Sequence, residues 1–461
     1  MSAKLVIDPD LIRKYGISGP RYTSYPTADR FVEAFGAEAY RYWLGNRNIG
    51  GFSRPLSLYV HLPFCDTICY YCACNKIVTR DHGRSARYVE YLEREARLVA
   101  AEMGDDRSVS QLHWGGGTPT FLADAEMAAL MRMLATHFDL AVDGEYSIEV
   151  DPRKVTPERI ALLAELGFNR ISLGVQDFDP AVQRAVNRVQ SVAETEGIMR
   201  AARLHGFRSV NVDLIYGLPR QTLEGFSRTL EQVVESEPDR IALYSYAHLP
   251  TVFKPQRRIL DADLPTGEAK LALLARAIDF LQSQGYVYIG MDHFARPGDD
   301  LAVAQRQGRL TRNFQGYSSA GDADIVGLGV SAIGKLGAAY SQNVKELEPY
   351  YALLDDGRLP VLRGVELSAD DLVRRAVIQA LACQFEVSKE SISIAHLVDF
   401  DEYFAPEIEM LRQHEREGLV CMDDEWITVT PQGRLLVRVL CMAFDKYLWA
   451  AQRRAQYSKV I

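Results

Sequence analysis

Four of the chain's seven cysteines fall within ten positions, at Cys65, Cys69, Cys72 and Cys74. No helix or strand period places these four side chains on one face, so core packing does not explain them. Clustered thiols in a reducing compartment are typical of a metal or redox site. Structural zinc usually takes two cysteine pairs separated by roughly a dozen or more residues. One compact run instead favours an iron–sulfur cluster, with zinc as the alternative.

Three of these sulfurs, at 65, 69 and 72, can surround one cubane cluster and leave its fourth iron open. The spacing CxxxCxxC, with Tyr71 directly before the third cysteine, resembles the cluster loop of the radical S-adenosylmethionine (SAM) superfamily. The resemblance implies a 4Fe-4S cluster as the first cofactor and SAM as the second. It also implies a parallel α/β domain around the loop.

Six short stretches have the β-branched and aromatic composition of strands. They are LSLYVH (56–61), QLHW (111–114), YSIEV (146–150), RISLGV (170–175), SVNVDLIYG (209–217) and IALYSYA (241–247). Segments with helical periodicity lie between them: SARYVEYLEREARLVAAEM, DAEMAALMRMLATHF, TPERIALLAELG, VAETEGIMRAARLHG and TLEGFSRTLEQVVES. This alternation predicts a parallel sheet curved into a partial (β/α)6 barrel.

Chemistry in parallel α/β folds collects at the carboxyl ends of the strands. The stretches that follow the six predicted strands are the cysteine loop, GGGTPT, EVDP, GVQDF, DLIYGLP and AHLP. The glycine run 115–117 can be a flexible turn, or it can let the backbone approach a ligand and offer it amide groups. Glu149, Gln176, Arg188 and Asp213 lie at or just past strand ends, where their convergence predicts contacts to hydroxyl, adenine and carboxylate groups.

A longer set of stretches is similar to one family within this superfamily. They are RYTSYPTADRF, YVHLPFCDTICYYCACNK, LHWGGGTPTFL, EVDPR, GVQDFDPAVQRAVNR, DLIYGLPRQT, ALYSYAHLP, IGMDHFA and TRNFQGY. They closely resemble the oxygen-independent coproporphyrinogen III oxidases, from about residue 20 to beyond residue 340. The resemblance implies oxidative decarboxylation of two propionates of coproporphyrinogen III to vinyl groups, giving protoporphyrinogen IX in haem biosynthesis. It implies a 5'-deoxyadenosyl radical as the reactive species.

The resemblance also implies residue roles. Cys65, Cys69 and Cys72 would bind the cluster, and Cys74 would be the additional family cysteine that does not. Two SAM molecules are expected. The first would meet Tyr59, Gly116, Glu149 and Ile333; the second would meet Tyr71, Gly117, Thr118, Gln176, Arg188, Asp213 and Ala247. No catalytic side chain is assigned beyond those that bind the cluster and SAM.

Three segments are expected along the chain. Residues 1–50 form an N-terminal segment whose irregular RYTSYPT stretch would cover the barrel mouth as a substrate lid. Residues 51–360 form the catalytic domain with the partial barrel and an extension. Residues 361–461 form a mostly helical domain in which two helices, a hairpin and a further helix resemble a winged-helix module. Acidic side chains outnumber basic ones there, which disfavours DNA binding.

Charge and hydropathy limit the remaining partners. The net charge of -9 disfavours nucleic acid, and charges interrupt the apolar stretches well short of a membrane span. We therefore expect a cytoplasmic protein. We also expect a monomer, and an unidentified electron donor that reduces its cluster. The carboxylates of the substrate need cations, and the candidates are Arg21, Arg30, Lys254, Arg257, Arg258 and Arg312.

Three alternatives share parts of this pattern. A haem chaperone on the same scaffold is disfavoured by Cys74 and by the length of the C-terminal segment. A haem-modifying methyltransferase would share the barrel and the cysteine loop. An interaction protein built around structural zinc is the third, and its lack of colour would distinguish it.

Overall fold

The computed structural model describes residues 5–47, 54 and 56–449. The chain divides into two compact units that interleave along the sequence. We call Arg30–Thr266 with Asp322–Glu366 the barrel unit, and Met1–Asp29 with Gly267–Gly321 and Leu367–Ile461 the C-terminal unit. The expected boundary between residues 50 and 51 lies outside the described residues. Near the other expected boundary, strand Val361–Glu366 pairs with Ala339–Asn343 inside the barrel unit, so the C-terminal unit resumes at Leu367.

The barrel unit is built on one open sheet. Six parallel strands are neighbours in chain order: Leu56–Leu62, Ser108–Gly116, Asp139–Val150, Arg170–Gln176, Ser209–Tyr216 and Arg240–Ser245. They match the six predicted stretches. A seventh strand, Asp324–Leu328, runs parallel to the first on its outer side. Antiparallel strands Ile333–Leu336, Ala339–Asn343 and Val361–Glu366 extend the sheet beyond it.

Alternation along these strands separates an apolar face from a polar one. Leu58 and Val60 are fully buried, whereas Tyr59 between them faces the other side of the sheet. The register aligns Tyr59 with His113 and His113 with Ser147, so side chains of one face form rows across neighbouring strands. The same period therefore carries polar residues of several strands to one side of the barrel.

Helices cover the sheet between the strands. The longer ones are Gly83–Met103, Asp124–His137, Pro157–Glu165, Val192–Leu204 and Leu223–Glu235, which confirms the five predicted helices. The barrel unit also contains helices Ala37–Gly45, Pro180–Ala185 and Leu347–Asp355. Local capping fixes several starts: the side chain of Thr156 accepts from the Arg159 amide, and Ser191 with Glu194 forms a capping box.

The C-terminal unit is mostly helical. Its helices are Pro9–Lys14, Gly267–Ser283, Asp300–Arg306, Ala369–Gln384, Lys389–His396, Phe400–Tyr403, Ala405–Arg416, Val437–Ala443 and Lys446–Trp449. Its strands are Val287–Gly290, His293–Ala295, Thr311–Asn313, Gly316–Ser318, Glu386–Ser388, Val420–Met422 and Trp426–Val429. The predicted hairpin is present, and Glu386–Ser388 adds a third strand to it, which sequence periodicity did not predict because the strand is three residues long.

The RYTSYPT stretch is irregular, as predicted, and it packs within the C-terminal unit. Tyr22 and Tyr25 are each 1% exposed. The Tyr22 hydroxyl donates to Asp445 at 3.0 Å, and the amide of Lys446 donates to the Tyr25 hydroxyl. In the described part of the chain, no helix has both the length and the apolar character needed to cross a membrane.

Candidate active site

A cavity of about 350 Å³ lies at the carboxyl ends of the parallel strands. Of the sequence-predicted residues, its wall contains Cys65, Cys69, Cys72, Tyr71, Gly116, Gly117, Thr118, Glu149, Gln176, Arg188 and Asp213. Cys74 lies in the same wall. The strand ends therefore bring the cysteine loop and the predicted polar residues into one pocket.

Short contacts hold the cysteine loop in its path. Residues Phe64–Cys65 pair in parallel with Ile77–Val78, which closes the base of the loop. The amide of Tyr70 donates to the carbonyl of Val186 at 2.9 Å, and the Lys76 ammonium donates to the carbonyl of Cys72 at 3.0 Å. The loop is thus fastened both to itself and to the segment that follows the fourth strand.

His61 orients the far side of this loop. Its Nε2 atom lies 2.9 Å from the carbonyl oxygen of Asn75, and its Nδ1 atom lies 3.0 Å from the hydroxyl of Tyr59. Burial lowers the pKa of His61, so the neutral ring is favoured at pH 7. A neutral ring can donate to the carbonyl and accept from the hydroxyl at the same time. His61 therefore acts as a structural link between the first strand and the cysteine loop.

The donor set suits an iron–sulfur cluster. All seven cysteines lie within the described residues and are free of disulfides. No three His, Cys, Asp or Glu side chains among residues 5–47, 54 and 56–449 converge on a single metal ion. A cubane needs no such convergence, because each thiolate binds a different iron. Three free thiols in one pocket wall therefore fit a cluster better than they fit one zinc ion.

Hydrogen-bond donors surround the cysteine sulfurs. The Thr118 hydroxyl lies 3.4 Å from the Cys65 sulfur, and Arg188 Nη1 lies 3.7 Å from the Cys69 sulfur. Arg153 approaches the same sulfur of Cys69 at 3.8 Å. Burial raises the pKa of the Cys65 thiol to about 11, and the Thr118 hydrogen bond opposes that rise.

Gly116 and Gly117 differ from the alternative in which the amides of the glycine run are open to a ligand. The amide of Gly116 donates to Glu149 Oε2 at 3.1 Å, and the amides of Gly117 and Thr118 donate to the carbonyls of Leu62 and Phe64, each at 2.8 Å. These amides are committed within the chain and do not offer themselves to a ligand. A Cβ on Gly117 would lie 2.7 Å from the backbone of Pro63 and Phe64. Close packing against the cysteine loop, rather than turn flexibility, requires this glycine.

Glu149 is the penultimate residue of the third strand and lines the pocket. Burial alone would raise its pKa, but the hydrogen bond and charge of His113, with the Gly116 amide, hold the pKa below its ordinary value. The closest His113 contact is 3.3 Å, from Nε2 to Oε1. Glu149 is therefore an ionised acceptor in the pocket wall at neutral pH.

Asp213 lies on the fifth strand, and its pKa shifts in the opposite direction to that of Glu149. Burial, followed by repulsion from Glu149, raises the pKa of Asp213 to about 6. Ser172 and Asn211 donate to its carboxylate at 3.1 and 2.9 Å and limit that rise. Two carboxylates with different pKa values thus face one pocket, and both can accept hydrogen bonds from hydroxyl groups above pH 6.

Two arginines share one carboxylate at the centre of the wall. Asp151 accepts from Arg153, with 2.6 Å between Nη2 and Oδ2, and from both terminal nitrogens of Arg188 at 3.3 Å. Burial would raise the pKa of Asp151, but these two guanidiniums hold it below its ordinary value. The two guanidiniums and the one carboxylate together carry a net positive charge beside Cys69.

Sequence reasoning assigned no role to Asp151 or Arg153, although it quoted the stretch EVDPR. The strand period does not reach them, because the strand ends at Val150 and Asp151 caps the 3-10 turn Pro152–Lys154 by accepting from the Arg153 amide. Asp66, Lys76, Ser172 and Tyr244 also line the cavity. Asp66, Lys76 and Tyr244 lie inside quoted stretches and Ser172 inside a predicted strand, but the sequence indicated no role for them.

Three predicted SAM contacts lie outside the cavity wall: Tyr59, Ala247 and Ile333. Tyr59 stacks on His113 with ring centroids 5.8 Å apart. The side chain of Gln256 donates to the carbonyls of both Ala247 and Tyr71, which ties Ala247 to the cysteine loop. Ile333 begins the first antiparallel strand of the sheet extension.

Comparison with known proteins identifies the class. The model of the radical SAM superfamily matches residues 59–233, and the model of the HemN C-terminal domain matches residues 367–436. The chain thus belongs to the radical SAM superfamily, whose members use a 4Fe-4S cluster and SAM.

Two curated relatives are each called oxygen-independent coproporphyrinogen III oxidase. The one from Pseudomonas aeruginosa is 51% identical over 456 residues, and the one from Escherichia coli K12 is 49% identical over 454 residues. In both cases the alignment covers 98% of this chain and 98% of the relative. The solved structure of coproporphyrinogen III oxidase (HemN) from Escherichia coli, described as a radical SAM enzyme, matches with a TM-score of 0.92 and 48% identity, covering 96% of this chain and 100% of that one. This chain is a member of the oxygen-independent coproporphyrinogen III oxidase family.

Proposed function

We propose that the chain catalyses the oxygen-independent oxidative decarboxylation of two propionate side chains of coproporphyrinogen III, giving the vinyl groups of protoporphyrinogen IX in haem biosynthesis. The observation that carries this proposal is end-to-end similarity, at about half identity, to relatives named for this activity. The pocket that combines three free thiols with ionised acceptors and guanidiniums supports it. Each propionate would lose a hydrogen atom, carbon dioxide and one electron to become a vinyl group.

Cys65, Cys69 and Cys72 would hold the 4Fe-4S cluster. When bound, the cluster and SAM supply the one-electron chemistry that removes a hydrogen atom from an unactivated carbon, which no protein acid or base can do. The chain itself binds, orients and shields. Gly117 lets the backbone lie against the cysteine loop, and Arg188 with Arg153 keeps positive charge beside Cys69. No side chain is assigned an acid–base role.

Two SAM molecules form the finer part of the proposal. Tyr59, Gly116, Glu149 and Ile333 would contact the first, and Tyr71, Gly117, Thr118, Gln176, Arg188, Asp213 and Ala247 the second. The ionised carboxylate of Glu149 suits an ammonium group of the first molecule, and the guanidinium of Arg188 suits a carboxylate of the second. Asp213, when ionised, suits the hydroxyls of a ribose.

The proposal also covers the location, electron donor, oligomeric state and substrate lid of the enzyme. The free thiols fit a cytoplasmic location, because reducing compartments preserve them. An electron donor that this chain does not contain would reduce the cluster, and the working unit would be the monomer. The RYTSYPT segment would cover the substrate as a lid. Deletion of residues 1–30 that leaves substrate affinity unchanged would remove that last element.

An anaerobic activity assay tests the proposal. Iron-reconstituted protein is incubated with SAM, dithionite and coproporphyrinogen III, and chromatography follows the porphyrin products together with 5'-deoxyadenosine. We expect protoporphyrinogen IX from the wild type and its loss from Cys65→Ser. Cys421→Ser is the matched control, because Cys421 is exposed and lies on the C-terminal hairpin, so its activity should persist.

Two outcomes would redirect the assignment. Cleavage of SAM with coproporphyrinogen III left intact would transfer the substrate to a haem-directed reaction, such as methyl transfer. Stoichiometric haem binding without SAM cleavage would indicate the chaperone alternative.

A further inference from the structure

Three arginines of the C-terminal unit gather where the irregular N-terminal stretch meets strand Thr311–Asn313 and helix Val437–Ala443. Arg312 and Arg438 are 5% and 6% exposed, and the side chain of Arg21 is 33% exposed. Arg21 and Arg312 were among the sequence candidates for binding substrate carboxylates, and Arg438 was not. We call Arg21, Arg312 and Arg438 the arginine cluster.

Backbone contacts fix the two buried members of the arginine cluster. Arg312 Nε donates to the carbonyl of Arg21 at 3.3 Å, and the Arg312 backbone is held on both sides by the side chain of Gln379. Arg438 Nε donates to the carbonyl of Pro20 at 2.9 Å, and its Nη2 donates to the carbonyl of Gly19. These carbonyls are neutral, so the contacts position the guanidiniums without cancelling their charge.

The three positive charges of the cluster act on one another. Asp292 forms an ion pair with Arg21 at 3.1 Å. The charges that act most strongly on Arg438 are those of Arg21, Asp292 and Arg312, and Asp292 is the negative one among them. Burial, with Arg21 and Arg312 next, lowers the pKa of Arg438 to about 10. Like charges that are buried close together are costly, and an anion between them would lower that cost.

One hydrogen-bond donor in the cluster is left open. Within the described residues, Arg312 Nη1 is buried and has no hydrogen-bond partner. The guanidinium lies 4.7 Å from the ring centroid of Tyr317, which restrains its plane. A planar, charged donor edge of this kind matches a carboxylate.

We propose that the arginine cluster is a subsite for a carboxylate of the substrate, with Arg312 as its central donor and Arg21 at its exposed side. This inference rests on the proposed function, because that function supplies a tetrapyrrole that carries propionates. Arg438 and Asp292 set the position and net charge of the subsite. A small inorganic anion would satisfy the same donors, so the test must separate the two sources.

Equilibrium binding of coproporphyrin III, the fluorescent oxidised form of the substrate, tests the subsite on the full-length chain without SAM. We expect the Kd to rise at least tenfold in Arg312→Gln and in Arg21→Gln. Arg416→Gln, which removes an exposed arginine of helix Ala405–Arg416, should bind as the wild type does. Thermal unfolding of each variant identifies any that has lost its fold. Arg21→Gln, at the exposed side, provides the test should Arg312→Gln unfold.

Chemical probes distinguish a carboxylate subsite from other roles. The tetramethyl ester of coproporphyrin III should bind the wild type and Arg312→Gln equally, because it presents no carboxylate. An equal loss for the acid and the ester would mean that Arg312 acts through packing, and the inference would be wrong. Competition by millimolar phosphate that reproduces the Arg312→Gln defect would assign the site to a free anion and would also overturn it.

Failure of the inference is separable from failure of the proposed function. Wild-type protein that makes protoporphyrinogen IX, with Arg312→Gln and Arg21→Gln binding coproporphyrin III normally, would refute the subsite and leave the function intact. Wild-type protein that neither binds coproporphyrin III nor converts coproporphyrinogen III would refute both.

Discussion

Arg153 Nη2 lies 3.8 Å from the sulfur of Cys69, and Arg188 Nη1 lies 3.7 Å from the same atom. Both guanidiniums also bind Asp151, which fixes them beside the sulfur. Hydrogen bonds and positive charge near cluster ligands stabilise the reduced, more negative state. Two guanidiniums thus act on Cys69, whereas the Lys76 ammonium acts on Cys72.

We predict that Arg153→Gln lowers the reduction potential of the reconstituted cluster. If the interaction of Arg153 with the reduced cluster is worth about 1.4 kcal/mol, its loss lowers the potential of this one-electron couple by about 59 mV. Redox titration followed by electron paramagnetic resonance measures the shift, and Arg208→Gln, an exposed change in the barrel unit, is the control. Equal potentials in wild type and Arg153→Gln would show that Arg153 serves only to hold Asp151.

We predict that SAM affinity falls as pH drops through about 6 because Asp213 takes up a proton. Burial and Glu149 raise the Asp213 pKa to about 6, so its carboxylate is an acceptor above that pH and is neutralised below it. Calorimetric titration of SAM into reconstituted protein from pH 7.5 to pH 5 should show a rising Kd. Asp213→Asn should bind weakly throughout and lose this dependence. A wild-type dependence that survives in Asp213→Asn would exclude Asp213 as its source.

A buried carboxylate away from the cavity predicts a pH effect on stability. Glu95 is 1% exposed and accepts from the Gly329 amide, Asn343 and Tyr350 at 2.6 to 2.7 Å. Burial raises its pKa to about 7 despite these donors. Between its unfolded pKa of about 4.5 and pH 7, the folded state therefore holds more of this proton, and the contribution of Glu95 to the free energy of unfolding falls as pH rises.

Glu95→Gln should remove that contribution, which amounts to about 3 kcal/mol across the window. Urea unfolding of both proteins at pH 5 and pH 7.5 measures it as the difference between the two pH dependences, which cancels titration common to both. Parallel dependences in the two proteins would mean that Glu95 stays ionised when folded.

We predict that Gly117→Ala impairs cluster assembly, because its Cβ would meet the backbone of Pro63 and Phe64 at 2.7 Å. Displacing that backbone moves Cys65, the next residue, and strain of this kind costs about 1 to 3 kcal/mol. Iron and sulfide per chain after reconstitution should fall. Gly197→Ala is the matched control, since its Cβ has no neighbour within 4 Å and it lies inside helix Val192–Leu204. Full cluster content in Gly117→Ala would show that the loop can adjust.

Much of the barrel could be predicted from the sequence, because strand composition and helical periodicity are local signals. The six parallel strands and five covering helices follow from such signals. The antiparallel extension after Asp324–Leu328 could not be, since its strands are short and their pairing depends on distant partners. Nor could the assignment of 267–321 to the C-terminal unit be predicted, because it depends on packing between distant segments.

In the pocket, too, local sequence signals predict some features, and contacts between distant residues determine the others. The spacing of Cys65, Cys69 and Cys72 indicates their chemistry without any structure, and the strand ends place Glu149 and Asp213 beside them. The pairing of Arg153 with Cys69 is a contact across 84 positions of sequence, so no local pattern predicts it. The commitment of the Gly116 amide to Glu149 likewise becomes visible only in three dimensions.

The central claim is that this chain removes hydrogen from a propionate of coproporphyrinogen III through SAM chemistry. The most direct measurement supplies substrate deuterated at the propionate β-carbons and analyses the 5'-deoxyadenosine by mass spectrometry. The account predicts deuterium in the 5'-deoxyadenosine, formed together with protoporphyrinogen IX. Consumption of the labelled substrate with unlabelled 5'-deoxyadenosine would contradict it.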